Sequence, residues 1–366
     1  MQFNPVLADS LDVEIQNMEK FSTVYQLIRH EYVKNKNSDE LIRSAIEGMV
    51  KKLDPYSTVL SAEDLKKLEL QSVGKYVGIG VTINQKNGRY IITQVYKGSP
   101  AKKAGLAPGD EISKINDVVL ADINYQELGE LLQGDIGSGM RISFRKSKDA
   151  RTDQEVSLNR VLVKANSVEC LRHSSAISVL AIHQFMKHTA QELKSCAKEL
   201  RSSAVILDLR SNPGGLLISA VEVAELFLGI GEIVQIRDRE NRVIERYVSR
   251  ESLPEDHPAL YVLINSYSAS ASEILAGAIR DRRSGILIGE RSFGKGVVQS
   301  VFPVGDNLYI KLTTAHYYTP SEIKFDGIGI KPDVEVNDGL AVIRYSKEDK
   351  VFLRAIELAE KRLSAK

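Results

Sequence analysis

Small hydroxyl side chains cluster after one of the most apolar runs of the chain. Residues 260–264 read LYVLI, and residues 265–273 then read NSYSASASE. Apolar residues recur at helical spacing from Ile274 onwards, so the pattern predicts a strand, a turn and a helix. The unbonded N–H groups at a helix start can stabilise an oxyanion, so a serine held there suits acyl transfer. A helix cap, or close packing of small residues, explains the same run without chemistry.

A serine nucleophile needs a base to accept its proton, and histidine is the usual one. No histidine stands in a triad-like signature. His183 and His188 flank a predicted strand-to-helix junction, and His316 shares the parity of apolar strand residues. His257 lies in a Pro-flanked loop. A Ser-His-Asp triad that uses His257 or His316 stays open as an alternative.

Lysine is the second candidate base. Residues 291–299 read RSFGKGVVQ, which places Lys295 between two glycines and directly before an apolar strand. A free lysine titrates near about 10.4, and desolvation lowers that pKa by several units, enough for a general base near neutrality. A solvated or phosphate-binding lysine is the simpler explanation, although the segment lacks P-loop spacing.

Glycines also mark the start of a β-rich region. Residues 74–81 read GKYVGIGV, and Gly78 and Gly80 let successive N–H groups converge on a site that a terminal carboxylate could occupy. The following strand could pair with a peptide as an added strand, although a simple hairpin or bulge also fits. With three later runs this loop closely resembles a PDZ domain of the bacterial protease type: GSPA at 98–101, AGL at 104–106 and GDEI at 109–112.

The PDZ resemblance covers roughly residues 74–147. It implies that this region binds unstructured protein C-termini with an apolar residue at the last position. The residues that the resemblance places at the peptide are Gly78, Ile79, Gly80 and Val81.

Further segments extend the resemblance over nearly the whole chain. The serine run SASASEI, the FGKG segment around Lys295, and Gln299 resemble the C-terminal processing peptidases, also called tail-specific proteases. Other segments fall in that family's order: LDPYS at 53–57, DLRSNPGGL at 208–216, GE at 289–290 and YYTPS at 317–321.

This resemblance implies a Ser–Lys dyad supported by a glutamine. Ser270, the middle serine of SASAS, is then the nucleophile, and Lys295 is the base. Gln299 lies four positions further on and is expected to orient the lysine amine.

The same resemblance implies an oxyanion hole built from backbone amides. Ala271 supplies one N–H because it directly follows the nucleophile, and Gly214 or Gly215 supplies the second. Asp281 matches an acidic position that some family members need, although a structural charge at a helix end fits equally.

Three positions depart from the family pattern. Ser211 stands where Asn or Asp is commoner, and His316 stands where Arg is usual. The SEIK run at 321–324 lacks the usual glycine after its serine. The position of Ser211 is expected to tolerate such a change. We expect the other two changes to alter the substrate cleft or a contact between PDZ domain and core, whereas the dyad itself is intact.

The 366 residues predict three regions and a terminal helix. Helical spacing dominates 1–73, short β runs dominate the PDZ region at 74–147, and apolar strands alternate with helices in a protease core at 148–337. Residues 338–366 are expected to form a C-terminal helix. The alternation predicts a mixed α/β fold class. The family resemblance implies a core like that of crotonase and Clp protease, with an inserted PDZ domain and helical terminal segments.

Composition excludes several classes of protein. Lys plus Arg is 49 and Asp plus Glu is 48, and the formal charge of +1 gives no support for a nucleic-acid binder. No apolar run is long enough for a membrane span. Two cysteines are too few for a disulfide framework or a Cys-based zinc site. The dyad chemistry needs no metal and no organic cofactor.

The N-terminus has a feature of exported proteins. Val6 and Ala8 are small residues where a signal peptidase would need them, although a plain N-terminus fits as well. Because the resembled family is typically exported in bacteria, we expect a periplasmic protein whose signal has been removed, with membrane association left open. Cys170 and Cys196 could pair in that compartment, although nothing in their spacing requires it.

The expected function is that of a serine endopeptidase that recognises protein C-termini through a PDZ domain and cleaves through an acyl-enzyme. A catalytically silent PDZ scaffold or adaptor is the alternative, and an acyl-CoA enzyme with a crotonase-like core is a third. The expected partners are unfolded or flexible C-termini and further copies of the chain in a homo-oligomer. An adaptor protein is left open.

Overall fold

The structure is a computed structural model that describes residues 5–86, 88–96, 98–123, 125–146, 149–200, 202–305, 307–337 and 344–365. The first six residues of the expected C-terminal segment, 338–343, lie outside these ranges. Val6 and Ala8, at which a signal-peptidase site is expected, lie in the first turns of a helix. No helix in the described part of the chain is both long and apolar enough to cross a bilayer.

Helices dominate both ends of the chain, and strands dominate the middle. The described helices are α1 (Pro5–Glu31), α2 (Ser38–Val50), α3 (Ala62–Ser72), α4 (Pro100–Lys103), α5 (Tyr125–Leu132), α6 (Thr189–Leu200), α7 (Leu217–Phe227), α8 (Ala271–Asp281) and α9 (Lys350–Ser364). The described strands are β1 (Thr58–Ser61), β2 (Lys75–Gly78), β3 (Val81–Lys86), β4 (Arg89–Val95), β5 (Glu111–Ile115), β6 (Val118–Val119), β7 (Gly139–Lys146), β8 (Asp149–Asn159), β9 (Val161–Lys164), β10 (Val168–Arg172), β11 (Ile177–Ile182), β12 (Ala204–Asp208), β13 (Gly231–Arg237), β14 (Val243–Ser249), β15 (Ala259–Ile264), β16 (Ile286–Gly289), β17 (Val297–Gly305), β18 (Leu308–Tyr318) and β19 (Val334–Glu335).

A mixed sheet of apolar strands forms the core of the second half of the chain. Its order is β10-β11-β12-β15-β16-β19, in which β10 runs antiparallel to β11 and every other neighbouring pair is parallel. Strands β11 and β12 are buried along their whole length. Unbroken apolar strands of this kind are typical of parallel sheets that helices cover on both faces.

Alternating side chains of these strands pack into two apolar clusters. Leu207 and Val262 join a cluster that includes α7 and α8, whereas Ile206 and Tyr261 join a cluster that includes α9. Since successive side chains of a strand point to opposite faces, helices cover both faces of the sheet. The expected C-terminal helix is present as α9, and its buried side chains pack in the second cluster.

A second sheet carries the glycine-rich region. Its order β3-β4-β5-β7-β8 is antiparallel throughout, and β3 lies at one edge. Ile79, Ile92 and Ile142 lie in its apolar core. Strand pairing continues past residue 147, because β8 pairs with β7 up to Asn159. A separate ladder of β2 with β9 joins the segments that enter and leave this region.

Chain contacts divide the protein into two units. One unit holds Met1–Glu63 and Gln299–Thr313, and the other holds Asp64–Val298 and Thr314–Lys366. In the first unit, β1 pairs antiparallel with the beginning of β18. In the second unit, the end of β18 pairs with β13, which also pairs with β14.

A disulfide joins Cys170 on β10 to Cys196 on α6, so the pairing that the sequence left open is present. The two cysteines are 26 positions apart in the chain. Both pack against the apolar cluster beneath α7 and α8. The bond therefore ties an edge strand of the core sheet to a helix that covers it.

The mixed α/β class with helical terminal segments is confirmed. The mainly helical region 1–73 also contains the short strand β1. In the predicted PDZ region, strands β2 and β3 are interrupted between Gly78 and Val81. The interruption has a local cause, because Gly80 has φ 82, a conformation that cannot continue a strand.

Candidate active site

Three loops leave the core sheet at the same edge. Strands β12, β15 and β16 are neighbours and run parallel, so the segments that follow them begin side by side. These segments carry Gly214, Ser270 and Lys295, respectively. The carboxyl edge of an open α/β sheet is where such folds bind their ligands.

Ser270 lies between the end of β15 and the first turn of α8, as the strand-turn-helix pattern predicts. Its backbone has φ 55° and ψ −113°, a combination outside the left-handed helical region that costs a non-glycine residue on the order of 1 to 3 kcal/mol. Neighbouring bonds hold this turn: the Ala269 N–H donates to the Asn212 carbonyl, and the Ile274 N–H donates to the Ser270 carbonyl, each at 3.0 Å. Strained residues that their surroundings hold in place cluster at active sites.

The carboxylate of Glu273 binds both loops that carry the predicted dyad. Its Oε2 accepts from the N–H of Ser270 and from the N–H of Lys295, each at 2.8 Å. These two nitrogens therefore lie no more than twice that distance apart. Its Oε1 accepts from the Gly294 N–H and from the Ser292 hydroxyl, each at 2.6 Å.

Glu273 is fully buried, yet its hydrogen bonds favour the ionised form. Burial raises the pKa of Glu273, and its four donors act against that rise. A carboxylate accepts on both oxygens, whereas a neutral carboxyl group would turn an O–H toward one of the donors. Sequence reasoning gave Glu273 no role, although a signal existed: Ser270 and Glu273 have the S-x-x-E spacing of a capping box.

The glycines on either side of Lys295 allow residues 326–329 to pack closely against the backbone. A Cβ on Gly296 would lie 2.6 Å from the backbone nitrogen of Asp326, and a Cβ on Gly294 would lie 3.0 Å from that of Ile328. The Gly296 N–H also donates to Asp326 Oδ1 at 3.0 Å. The backbone is therefore fixed on both sides of Lys295, whose side chain is half-buried.

Gly214 packs directly against the turn that carries Ser270. A Cβ on Gly214 would lie 2.8 Å from the Ser270 Cβ and 3.0 Å from the Ala271 nitrogen. A side chain at this position would therefore displace the turn. The Gly214 N–H, however, donates to Asn212 Oδ1 at 2.9 Å, so this amide already has an acceptor.

The N–H of Gly215 is better oriented than that of Gly214 to donate to a substrate carbonyl. The Phe185 N–H donates to the Gly214 carbonyl and the Leu216 N–H donates to the Phe185 carbonyl, which makes Gly215 the centre of a parallel bridge. The N–H of such a central residue points away from its partner. Ala271 opens α8, where a helix N–H has no intrahelical acceptor. We therefore expect Ala271 and Gly215, rather than Gly214, to form the donor pair.

Gln299 lies in β17 and belongs to the first unit. Its Nε2 donates to the carbonyl of Tyr56 at 2.7 Å. Asp54 fixes that turn, because its Oδ1 accepts from the N–H groups of Tyr56 and Ser57, each at 2.7 Å. The LDPYS turn is thus a partner of Gln299 that sequence reasoning missed. The role of Gln299 toward Lys295 stays a prediction.

Asp281 ends α8, and the 11 residues of that helix place it about 15 Å from the nucleophile end. Its carboxylate accepts from the Arg280 guanidinium and, at 3.0 Å, from the Ser321 N–H. Burial acts to raise the pKa of Asp281, but hydrogen bonds from Thr319, Arg280 and Ser321 outweigh it and lower the pKa. These contacts join the end of α8 to the loop after β18. Whether Asp281 also supports catalysis stays a prediction.

The two histidines of the alternative triad have other partners. His257 is exposed, and its Nδ1 lies 3.0 Å from the Pro254 carbonyl of the same loop. His316 lies in β18, with Nδ1 3.7 Å from Asp326 and Nε2 3.2 Å from the Lys324 Nζ. Burial and then the nearby Lys324 charge lower the pKa of His316.

The predicted peptide-binding loop borders β3, an edge strand of the second sheet. The Ile79 carbonyl accepts from the Ala101 N–H at 3.0 Å, and the Gly80 carbonyl accepts from the Tyr96 N–H at 2.9 Å. In a trans peptide the C=O and the N–H point in opposite directions. The amides of Gly80 and Val81 therefore point away from these partners.

Comparisons with known proteins agree with this arrangement. The model of peptidase family S41 matches residues 176–336, and a PDZ domain model matches residues 91–146. A model described as the activating protease CtpB N-terminal domain matches residues 6–64.

Curated relatives and solved structures point the same way. A carboxy-terminal-processing protease of Bartonella bacilliformis is 35% identical over 333 residues, which cover 89% of this chain and 76% of that protein. A probable CtpA-like serine protease of Staphylococcus epidermidis is 33% identical over 326 residues, which cover 88% of this chain and 66% of that protein.

Two solved structures share the fold. The photosystem II D1 C-terminal processing protease matches with a TM-score of 0.58 and 25% identity, over 88% of this chain and 94% of that chain. A putative S41 protease of Bacteroides fragilis matches with a TM-score of 0.57 and 18% identity, over 92% of this chain and 97% of that chain.

Fold and comparisons together define a C-terminal processing serine protease that carries a PDZ domain. The chain belongs to peptidase family S41.

Proposed function

We propose that the chain is an endopeptidase that holds protein C-termini with its PDZ domain and cleaves the upstream chain with Ser270 and Lys295. Neutral Lys295 takes the Ser270 proton as the hydroxyl oxygen attacks the scissile carbonyl. The resulting ammonium protonates the leaving amine, and water then hydrolyses the acyl-enzyme with Lys295 again as base. The amides of Ala271 and Gly215 stabilise the oxyanion.

The observation that carries this proposal is the shared anchor of the two loops. One oxygen of the buried Glu273 carboxylate accepts from both Ser270 and Lys295. Such an anchor holds the two backbone segments at a fixed separation. A nucleophile and its base need that fixed separation, because the proton transfer between them works only at hydrogen-bond distance.

Surface chemistry supports an apolar, extended substrate. The predicted peptide-binding loop leads into β3, a strand at the edge of its sheet, and addition of a strand at a sheet edge is a common way to bind extended chains. Two large side chains beside the candidate dyad are exposed: Tyr267 is 49% exposed and Phe293 is 55% exposed. Aromatic side chains exposed on these two loops suit contact with apolar residues around the scissile bond.

An exported location fits the disulfide. The bond between Cys170 and Cys196 supports a periplasmic protein, because disulfides persist in oxidising compartments and are rare in the cytosol. Membrane association and a homo-oligomer stay proposals, and the exposed apolar side chains of α1, such as Met18 and Val24, support them. An adaptor protein stays a prediction.

Hydrolysis of an unfolded protein with an apolar C-terminus tests the dyad. Ser270→Ala and Lys295→Ala should each lower kcat by about a thousandfold or more, since each removes a whole catalytic role. Ser266→Ala is the matched control, because it removes an exposed hydroxyl from the same turn and should change kcat less than about twofold.

Two results would contradict the proposal. Full activity of Ser270→Ala would show that another group attacks the peptide bond. A wild-type protein that binds C-terminal peptides without any Ser270-dependent hydrolysis would instead be the PDZ scaffold of the alternative hypothesis.

A further inference from the structure

A buried charge cluster lies where β12 passes into the loop that carries Gly214 and Gly215. Asp208 ends β12 and Asp349 precedes α9, and neither side chain is exposed, while Arg210 between them is 8% exposed. Arg210 Nη2 donates to Asp208 Oδ2 at 2.8 Å, and Nη1 donates to Asp349 Oδ1 at 2.7 Å. One guanidinium therefore joins the core sheet to the C-terminal segment.

The C-terminal segment binds this cluster at several further points. Asp349 caps α9 by accepting from the Phe352 N–H at 2.9 Å, and it accepts from the Tyr345 N–H at 2.8 Å. The Tyr345 hydroxyl donates to Asp208 Oδ2 at 3.0 Å. Arg344 Nη2 donates to the carbonyl of Arg210 at 2.5 Å.

The charges of the cluster balance one another. Burial acts to raise the pKa of Asp208, but Arg210 and then Arg344 outweigh it and lower the pKa. Burial acts to lower the pKa of Arg210, but Asp208 and Asp349 outweigh it and raise the pKa. Asp208 and Arg210 therefore stay ionised near neutral pH. Removing one partner of such a buried pair leaves a charge without compensation.

Only a few residues separate this cluster from the nucleophile turn. Ser211, which follows Arg210, has φ 55, and its N–H donates to Asn265 Oδ1 at 2.8 Å. The Asn212 side chain accepts from the Gly214 N–H. The Asn212 carbonyl accepts from the Ser272 hydroxyl at 3.0 Å. A shift of Arg210 would thus move both the glycine loop and its contacts with the serine turn.

We propose that Asp349, acting through Arg210, is a positioning residue for the glycine loop of the oxyanion hole. The C-terminal segment then belongs to the catalytic machinery without touching substrate. This inference rests on the proposed function, because it assumes that Gly215 faces the reacting carbonyl. A small displacement of an oxyanion donor weakens transition-state binding far more than substrate binding, so the effect falls on kcat.

Asp349→Asn tests this role and keeps the helix cap, since asparagine also caps helices well. It removes the negative charge opposite Arg210. Per folded molecule, kcat should fall about tenfold or more while KM changes less than about twofold. The matched control is Glu357→Gln, which removes a surface ion pair with Arg354 on the same helix and should leave both parameters unchanged.

Tyr345→Phe is a milder second variant. It keeps the ring and removes the hydroxyl that donates to Asp208 Oδ2. It should lower kcat about threefold with an unchanged KM, since a single hydrogen bond of the cluster is lost. Melting curves give the folded fraction of each variant, so a purely structural role would lower that fraction and leave kcat per folded molecule unchanged.

The outcomes separate this inference from the proposed function. If hydrolysis depends on Ser270 while Asp349→Asn and Tyr345→Phe keep wild-type kcat, the positioning role is wrong and the proposed function stands. A rise in KM at constant kcat would also overturn it. If hydrolysis does not depend on Ser270, both are overturned.

Discussion

At the residue scale, one buried carboxylate explains how a strained serine and a glycine-flanked lysine come close together. Glu273 accepts from the backbone of Ser270, Gly294 and Lys295, and from the hydroxyl of Ser292. Each of these groups would otherwise need another acceptor, because an unpaired buried donor is costly. Glu273 therefore stabilises the fold and the geometry of the site together.

Glu273→Gln should damage both stability and activity. Glutamine presents an NH₂ group where one carboxylate oxygen accepted two donors, so those donors lose their acceptor. The free energy of unfolding should fall by about 2 kcal/mol, and kcat should fall at least about tenfold. Urea unfolding and hydrolysis assays measure the two effects. Wild-type kcat in the folded variant would contradict the anchoring role.

The pH dependence of the difference in unfolding free energy between wild type and Glu273→Gln reports the protonation of Glu273. Because burial raises the pKa of Glu273, the folded state keeps this proton to a higher pH than the unfolded chain. Protonated Glu273 therefore stabilises the folded state fully at pH values below the pKa of the unfolded chain, about 4.3. This stabilisation is lost as the pH rises through the higher pKa of the folded state. The stability difference between wild type and Glu273→Gln should therefore shrink as pH rises from about 4 and then level off. A constant difference would contradict the raised pKa.

At this scale, sequence patterns identify the candidate dyad residues better than they identify the contacts that hold those residues in place. Their motifs single out Ser270 and Lys295, which lie on the segments that follow the neighbouring strands β15 and β16. The four donors to Glu273 come from two separate loops, which local patterns do not bring together. The bond from the Gly214 amide to Asn212, which leaves Gly215 as the better donor, depends on loop conformation and could not be predicted either.

At the element scale, the apolar strands were predictable and their partners were not. The runs at 204–209 and 260–264 predict strands buried on both faces, and β12 and β15 lie there. The cluster at the end of β12 was not predictable, because Arg210 and Asp349 are 139 positions apart. No period of the sequence signals a contact at that separation.

The disulfide gives a prediction about stability. Replacing Cys170 and Cys196 by serine should lower the free energy of unfolding by about 3 kcal/mol, because the bond restricts the unfolded chain. Reduced wild type should unfold at the same temperature as the double variant, which makes reduction the control. Melting curves with and without reductant measure this. Identical curves for oxidised and reduced wild type would contradict a formed bond.

At the scale of the whole molecule, one region is expected to capture the substrate and another to cleave it. Gly80→Ala should disable capture, because its φ is 82 and a Cβ would lie 2.2 Å from the Ser99 Cβ. Affinity for a C-terminal peptide should fall about tenfold or more, since the peptide-binding amides are displaced.

Gly88→Ala is the matched control for that substitution. Gly88 also has a positive φ, of 74, but no atom lies within 4 Å of its added Cβ. Both variants carry the same kind of backbone strain, so only the clash differs between them. Peptide binding followed by fluorescence anisotropy should separate the two. Equal affinities would show that the loop around Gly80 does not hold the peptide.

The central claim, that Ser270 is a nucleophile activated by Lys295, is tested most directly by covalent labelling. Wild-type protein is treated with a fluorophosphonate probe, and the modified residue is mapped by peptide mass spectrometry. We expect one adduct, on Ser270, which is absent from Ser270→Ala and forms far more slowly in Lys295→Ala. Labelling of Ser268 or Ser272 instead, or an equal labelling rate in Lys295→Ala, would contradict the claim.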